Sequence, residues 1–128
     1  MPVPVDRERD LAKCEDMRIH VARARDFLGA MSLAEFEKDE LRQAAVVRCI
    51  EVIGEAARSI SEATRRDAPE IPWQLIIGMR NVLAHDYGTV DLPRVYEVVT
   101  DHLPALLGHT TALIARLERE TNWQAEGE

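Results

Sequence analysis

The sequence predicts an all-α domain, an antiparallel bundle of four to five helices. Three observations carry that expectation. Apolar residues recur at three- and four-residue steps along several stretches, no run alternates apolar and polar at period two, and no Asn-Gly or Asp-Gly hairpin signal occurs. The 6 Gly and 6 Pro among 128 residues sit where helices would stop and start. With 46% apolar and 30% charged residues the chain can bury a core. One domain over residues 1–120 is expected, followed by a short polar tail, 121–128.

The elements follow in order. Residues 6–28 read as a first helix, with Leu11, Cys14, Met17 or Arg18, Val21, Ala24 and Leu28 on one stripe and Gly29 just past its end. Ser32 and Glu35 form a capping-box pattern that starts a short helical turn. A second long helix is expected from about Asp39 to Arg66, on the stripe Leu41, Ala45, Cys49, Val52, Ile53, Ala56 and Ile60. Ala44, Ala45, Gly54, Ala56 and Ala57 let a neighbouring helix approach closely. Asp67 to Pro72 is a loop, and Pro72 suits the first turn of a third helix running from Trp73 to about Ala84, which Gly88 closes. Asp91 caps a fourth helix with Pro93 in its first turn. Its seam is Val95, Val99, His102, Leu106, Thr110, Leu113 and Leu117, and Pro104 should kink it near Thr100. The seam on the fourth helix and the small residues on the second are faces for a second copy, so an isologous homodimer is expected.

Composition removes several function classes. The net charge of −7 speaks against a basic surface that coats nucleic acid. The charge is uneven, however. Residues 41–94 hold 7 basic and 7 acidic side chains, so the excess of acid lies in the two ends. Arg outnumbers Lys 14 to 2, which suits carboxylate or phosphate recognition, although a coding bias produces the same excess. Two cysteines, Cys14 and Cys49, are too few for a disulfide scaffold and fit a reducing, cytoplasmic setting. No apolar run is long enough for a membrane span, and residues 1–10 lack the apolar core of a secretory signal.

Reactive side chains are densest between residues 78 and 91. Arg80, Asn81, His85, Asp86 and Tyr87 fall within eight positions at a helix end. On an ideal helix Arg80 and His85 stand about 140° apart, so they converge only if the helix loosens or if two copies meet. Arg80 offers a fixed, phosphate-matching cation, and His85 can take and return a proton near neutral pH. That pair suits cleavage of RNA by its own 2′-hydroxyl, with His85 as general acid/base and Arg80 stabilising the charged phosphorane. Asn81 would hold a phosphate oxygen or the imidazole. The spacing alone leaves another reading open: Arg80 pairing with Asp86 or Asp91, and His85 capping a helix carbonyl.

Arg80-Asn81-x-x-x-His85-x-Tyr87 resembles the Arg-x4-His-x-Tyr motif of the HEPN superfamily. More narrowly, the chain resembles HepT-type toxins of two-gene toxin–antitoxin systems. Ala45-Val-Val-Arg48-Cys-Ile-Glu51-Val-Ile-Gly54-Glu55-Ala56-Ala57 is similar to that family's second-helix signature. Ile71-Pro72-Trp73-x-x-Ile76-x-Gly78-Met79-Arg80-Asn81 is similar to the approach to its active site, and Phe36 with Asp39 also fits. The similarity covers roughly residues 10–107, with the three blocks in order.

The resemblance implies a HEPN bundle, a homodimer and metal-independent endoribonuclease chemistry in a cleft at the dimer interface. It maps Arg80 and His85 onto the catalytic pair and Asn81 onto the polar position after the Arg. Tyr87 maps onto a tyrosine that a cognate minimal nucleotidyltransferase antitoxin (MntA-like) modifies with AMP. Bulk and negative charge added there would silence an RNA cleft. Nothing in the resemblance calls for a cofactor or a metal. The alternative is a non-catalytic HEPN module that binds a nucleotidyltransferase or presents substrate to it.

Other residues have plainer expectations. His102 and His109 lie about 10.5 Å apart along a helix, too far for one metal, and are assigned to packing. Glu51 and Glu55 beside Arg48 and Arg58 form a surface ion-pair row, with Glu55 alternatively orienting Arg80. Asp86 bonds His85 or faces solvent. Cys14 and Cys49 are buried hydrophobes, and Trp73 is a core anchor.

Overall fold

The computed structural model describes residues 5–83 and 90–126, and among them there is helix, turn and loop but no strand. The elements are α1 (Val5–Leu28), α2 (Leu33–Phe36), α3 (Glu40–Ser59), α4 (Glu62–Asp67), α5 (Trp73–Leu83), α6 (Leu92–Glu97), a π-helical turn (Val98–His102) and α7 (Leu103–Glu126). The expected all-α bundle is present.

Local chemistry sets most boundaries. Gly29 takes a left-handed φ of 57° and its N–H closes α1 on the carbonyl of Arg25. Ser32 and Glu35 make the reciprocal capping box of α2. Asp39 caps α3 through the N–H of Arg42, and Asp91 caps α6 through that of Arg94.

The three long helices run up and down. The guanidinium of Arg42, early in α3, donates to the carbonyl of Phe27, late in α1. Arg7, at the start of α1, reaches Asp67 after α3 and Glu120 late in α7. Both α3 and α7 are therefore antiparallel to α1 and pack on it, while α5 packs on α3. Met17, Val21 and Leu28 of α1, Val46, Ile50 and Ile53 of α3, and Leu103, Leu113 and Leu117 of α7 are fully buried or nearly so. Each stabilises the bundle by about 1.5–3 kcal/mol. Tyr96 of α6 donates its hydroxyl to the carbonyl of Met31 and packs its ring near Phe36, tying α2 to α6. Cys14, Cys49 and Trp73 are buried as expected.

Four expectations are corrected. The long second helix is broken at Ile60, whose backbone is extended, and Ser61 caps the separate α4. The cause is Asp10, which is fully buried and accepts from Ser61 N (2.9 Å), Ser61 Oγ (2.6 Å) and Thr64 Oγ1. The α3 stripe is wider than expected and starts later: Cys49, Ile53, Ala56 and Ile60 are buried as expected, Val46, Ile50 and Ala57 join them, and Leu41 is 82% exposed. His102 leaves the α7 seam and Leu103 replaces it. Pro104 lacks the N–H that Thr100 would use, the backbone widens, and Leu103 N–H reaches back five residues to Val98. The exchange is confined to that turn, since Val95 and Val99 before it and Leu106, Thr110, Leu113 and Leu117 after it are buried as expected. Finally, the segment from Thr121, expected as a tail, continues as helix to Glu126.

Candidate functional site

The site is organised by α5. Pro72 accepts the first helical bond, from Ile76 N–H at 3.1 Å. The Trp73 indole N–H donates to the carbonyls of Ala68 (3.0 Å) and Arg65 (3.1 Å), which pins the start of α5 to the end of α4. Ile76 is 3% exposed and holds the middle of the helix in the core. Arg80 and Asn81 thus stand at defined positions near the C-terminal end of a helix anchored at its other end. Position 80 follows position 73 by two turns, about 10.5 Å along the axis and on nearly the same face.

The rest of the motif falls elsewhere. His85, Asp86, Tyr87 and Gly88 lie outside the described residues, as do the side chains of Arg80 and Asn81. The helix-closing role of Gly88, the pairing of Asp86 and the convergence of Arg80 with His85 lie there too. Past the motif, the Asp91 cap returns the chain into α6.

On α3 the expected ion-pair row is present in part. Arg48 and Glu51 approach to 3.4 Å, and Glu55 is exposed, with its carbonyl accepting from Ser59 Oγ. The cysteines are poor nucleophiles. Burial, with Asp10 and Glu15 nearby, pushes the Cys14 thiol up to about 12, and burial also raises Cys49 against the opposing pull of Arg23 and Arg48. Among the described residues no group of three or more His, Cys, Asp or Glu could hold a metal ion. No helix among them is long and apolar enough to cross a membrane.

Two grooves flank α5, and neither was anticipated. One, of about 460 Å³, lies between α5 and the π turn with α7. Its floor is Ile76, Met79, Leu103 and Leu106, and Arg94, Asp101, His102 and His109 stand along it. His109 therefore borders a groove rather than filling the core, and His102 is 63% exposed beside Glu97. The other, of about 430 Å³, lies between α4 and the start of α5 and is lined by Glu62, Arg65, Arg66, Pro72, Trp73, Gln74 and Leu75. Leu75 borders both grooves and is 73% exposed. The adjacent arginines Arg65 and Arg66 were the only sequence signal for the second groove.

Comparison with known proteins decides the family. The family described as Ribonuclease HepT-like matches residues 17–113, a span that includes the whole Arg80 to Tyr87 motif. The chain belongs to the HepT-like ribonuclease family. A Thermococcus cleftensis protein named "Probable ribonuclease HepT" is 34% identical over 94 residues, 73% of this chain and 86% of that one. A "Putative RNase" of Methanocaldococcus jannaschii is 35% identical over 95 residues, 74% of this chain and 82% of its own. Another protein named in the same words, from Caldanaerobacter subterraneus, is 34% identical over 76 residues, 59% and 68% of the two chains. No solved structure matches. Within this HepT-like chain the family match begins in the middle of α1 and ends in α7, so it takes in all of α3 and α5.

Proposed function

We propose that this HepT-like chain is a toxin-type, metal-independent endoribonuclease that cleaves RNA through attack by the 2′-hydroxyl. The observation that carries the reading is the unbroken motif Arg80-Asn81-x-x-x-His85-x-Tyr87 inside the family match. His85 removes the 2′-OH proton, O2′ attacks phosphorus, and the 5′-oxygen leaves with a proton returned by the imidazolium. A 2′,3′-cyclic phosphate and a 5′-hydroxyl result. Arg80 stabilises the extra negative charge on the phosphorane, and Asn81 holds a non-bridging oxygen or the imidazole. Each role uses the chemistry of the side chain alone.

The working unit is a homodimer. Leu75, 73% exposed beside an apolar groove, supports a face that a second copy covers. Two copies would bring two sets of Arg80 and His85 to one cleft, which makes the local potential positive on an acidic protein. A cognate minimal nucleotidyltransferase antitoxin adenylylates Tyr87 and so blocks that cleft.

The test is cleavage of total RNA by chelator-treated protein. Wild type is expected to cut, and Arg80→Ala and His85→Ala to lose activity by a factor of about 100 or more. Wild type that cuts nothing while binding a nucleotidyltransferase would identify the non-catalytic partner module instead. Intact mass after co-expression with such an enzyme reads the modification, as AMP-sized additions that Tyr87→Phe abolishes.

A further inference from the structure

We infer that the groove between α4 and the start of α5 is a phosphate-binding subsite for the RNA strand beside the scissile bond. The inference rests on the ribonuclease reading above and adds to it where the strand runs. Arg65 and Arg66 line this groove from the last turn of α4. Among the described residues neither guanidinium has an ion-pair or hydrogen-bond partner, and Arg65 Nε is buried with no acceptor.

The neighbouring carboxylates do not neutralise the pair. Asp67 is held by Arg7 at 2.9 Å, and Glu70 stands 4.0 Å from Arg116. Glu62 is the one acid among the lining residues, against two arginines. The groove is therefore net positive on a chain whose net charge is −7. Its backbone is fixed as well, because the Trp73 indole bonds the carbonyl of Arg65. Trp73 then leads along one face of α5 to position 80, two turns and about 10.5 Å away. That is a reach of a few nucleotides from the proposed catalytic Arg80. Arg presents a planar fork that matches phosphate oxygens, and a groove with a polar lip tracks a backbone without reading bases.

Binding is measured on the full chain by fluorescence anisotropy with a labelled single-stranded RNA long enough to span groove and motif. His85→Ala is the background, so that the strand is not cut. Arg66→Glu is expected to weaken binding several-fold, and Arg66→Ala to lower the slope of log K against log salt by about 0.7, one phosphate on a single strand. Arg65→Lys, which keeps the charge and loses the fork, should weaken binding less. Arg25→Glu changes the net charge equally at the far end of α1 and should have little effect. An RNA of two nucleotides should not distinguish wild type from Arg66→Glu.

Equal losses for Arg25→Glu and Arg66→Glu, or an unchanged affinity and slope in both Arg66 variants, would overturn the subsite. So would loss of nucleotidyltransferase binding by Arg66→Glu with RNA affinity intact, which assigns the groove to a protein. A wild type that binds with this Arg66 dependence and never cuts RNA would sink the ribonuclease reading and leave the subsite standing.

Discussion

Polar groups along α4 are treated in two opposite ways. Near its N-terminal end Asp10 is fully buried, yet its oxygens accept from Ser61 and Thr64, and Arg7 donates to Thr64 Oγ1 at 2.7 Å and also reaches Asp67, the last residue of the helix. Every group in that cluster has a partner within the chain. At its C-terminal end Arg65 and Arg66 have none among the described residues, and the next helix exposes Leu75. A closed polar cluster specifies how helices meet. An open one, beside exposed apolar surface, is where the proposed RNA strand or second copy would dock. The first region should therefore respond to substitution through stability, and the second through binding.

The largest stability effect is expected at Asp10. Asp10→Ala leaves one N–H and two hydroxyls without their acceptor in a dry site, a loss of about 2–4 kcal/mol. Asp10→Asn keeps one acceptor oxygen and should fall between the two. Urea unfolding followed by circular dichroism measures both. A loss within about 0.5 kcal/mol for Asp10→Ala would mean the cluster is no more structural than the arginine groove.

Alkaline pH probes the same region through Cys14, which lies one helical turn from Asp10. Its thiol is raised to about 12 from an ordinary value of 9.0 by burial first and by Asp10 second. The folded state holds this proton longer than the unfolded state does. Stability is thus intact below about pH 9 and declines toward pH 12, by at most about 1.4 kcal/mol per pH unit. Cys14→Ala should flatten that decline, whatever it costs at neutral pH. An unchanged slope in the variant would remove Cys14 as the cause.

Arg7 comes next. It bridges α1, α4 and α7, but its ion pairs are partly solvated, with 24% of its side chain and 53% of that of Asp67 exposed. Arg7→Ala should cost about 1 kcal/mol, largely from the bond to Thr64 and lost stem packing. A loss as large as that of Asp10→Ala would place the weight of the cluster on the arginine.

The same contrast separates what was readable in the residues from what was not. Gly29, the Ser32 and Glu35 box and the Asp91 cap are local chemistry and stand where expected, and the helix is disturbed ahead of Pro104, as a π turn. The break at Ser61 is not local, since Asp10 imposes it from 51 positions away. The exchange of His102 for Leu103 needs the extra residue of the π turn, which a fixed helical period does not contain. On α3 a single stripe describes only part of the buried surface, because the helix packs on both α1 and α5 and so buries Val46, Ile50 and Ala57 beside Cys49, Ile53 and Ala56. The site divides likewise. Arg80, Asn81, His85 and Tyr87 were legible as one motif, whereas the grooves beside α5 exist only where α4 and α7 come against it.

Leu75 carries the smallest expected effect on stability and the sharpest test of the open side. With 73% of its surface exposed it contributes little to the single-chain core, so Leu75→Gln should change unfolding free energy of an isolated copy by less than about 0.5 kcal/mol. If a second copy covers the α5 face, the same substitution removes an apolar anchor from a desolvated interface, where truncations often cost about 1–2 kcal/mol or more. Sedimentation at several concentrations should then show wild type as a dimer and Leu75→Gln shifted toward monomer, with helicity and melting of the diluted chain unchanged. RNA cleavage should fall in parallel with the dimer fraction, because two motif copies share one cleft in the proposed enzyme. A variant that stays dimeric and fully active would move the dimer contact elsewhere and leave the leucine as an isolated exposed side chain, which soluble proteins tolerate without consequence.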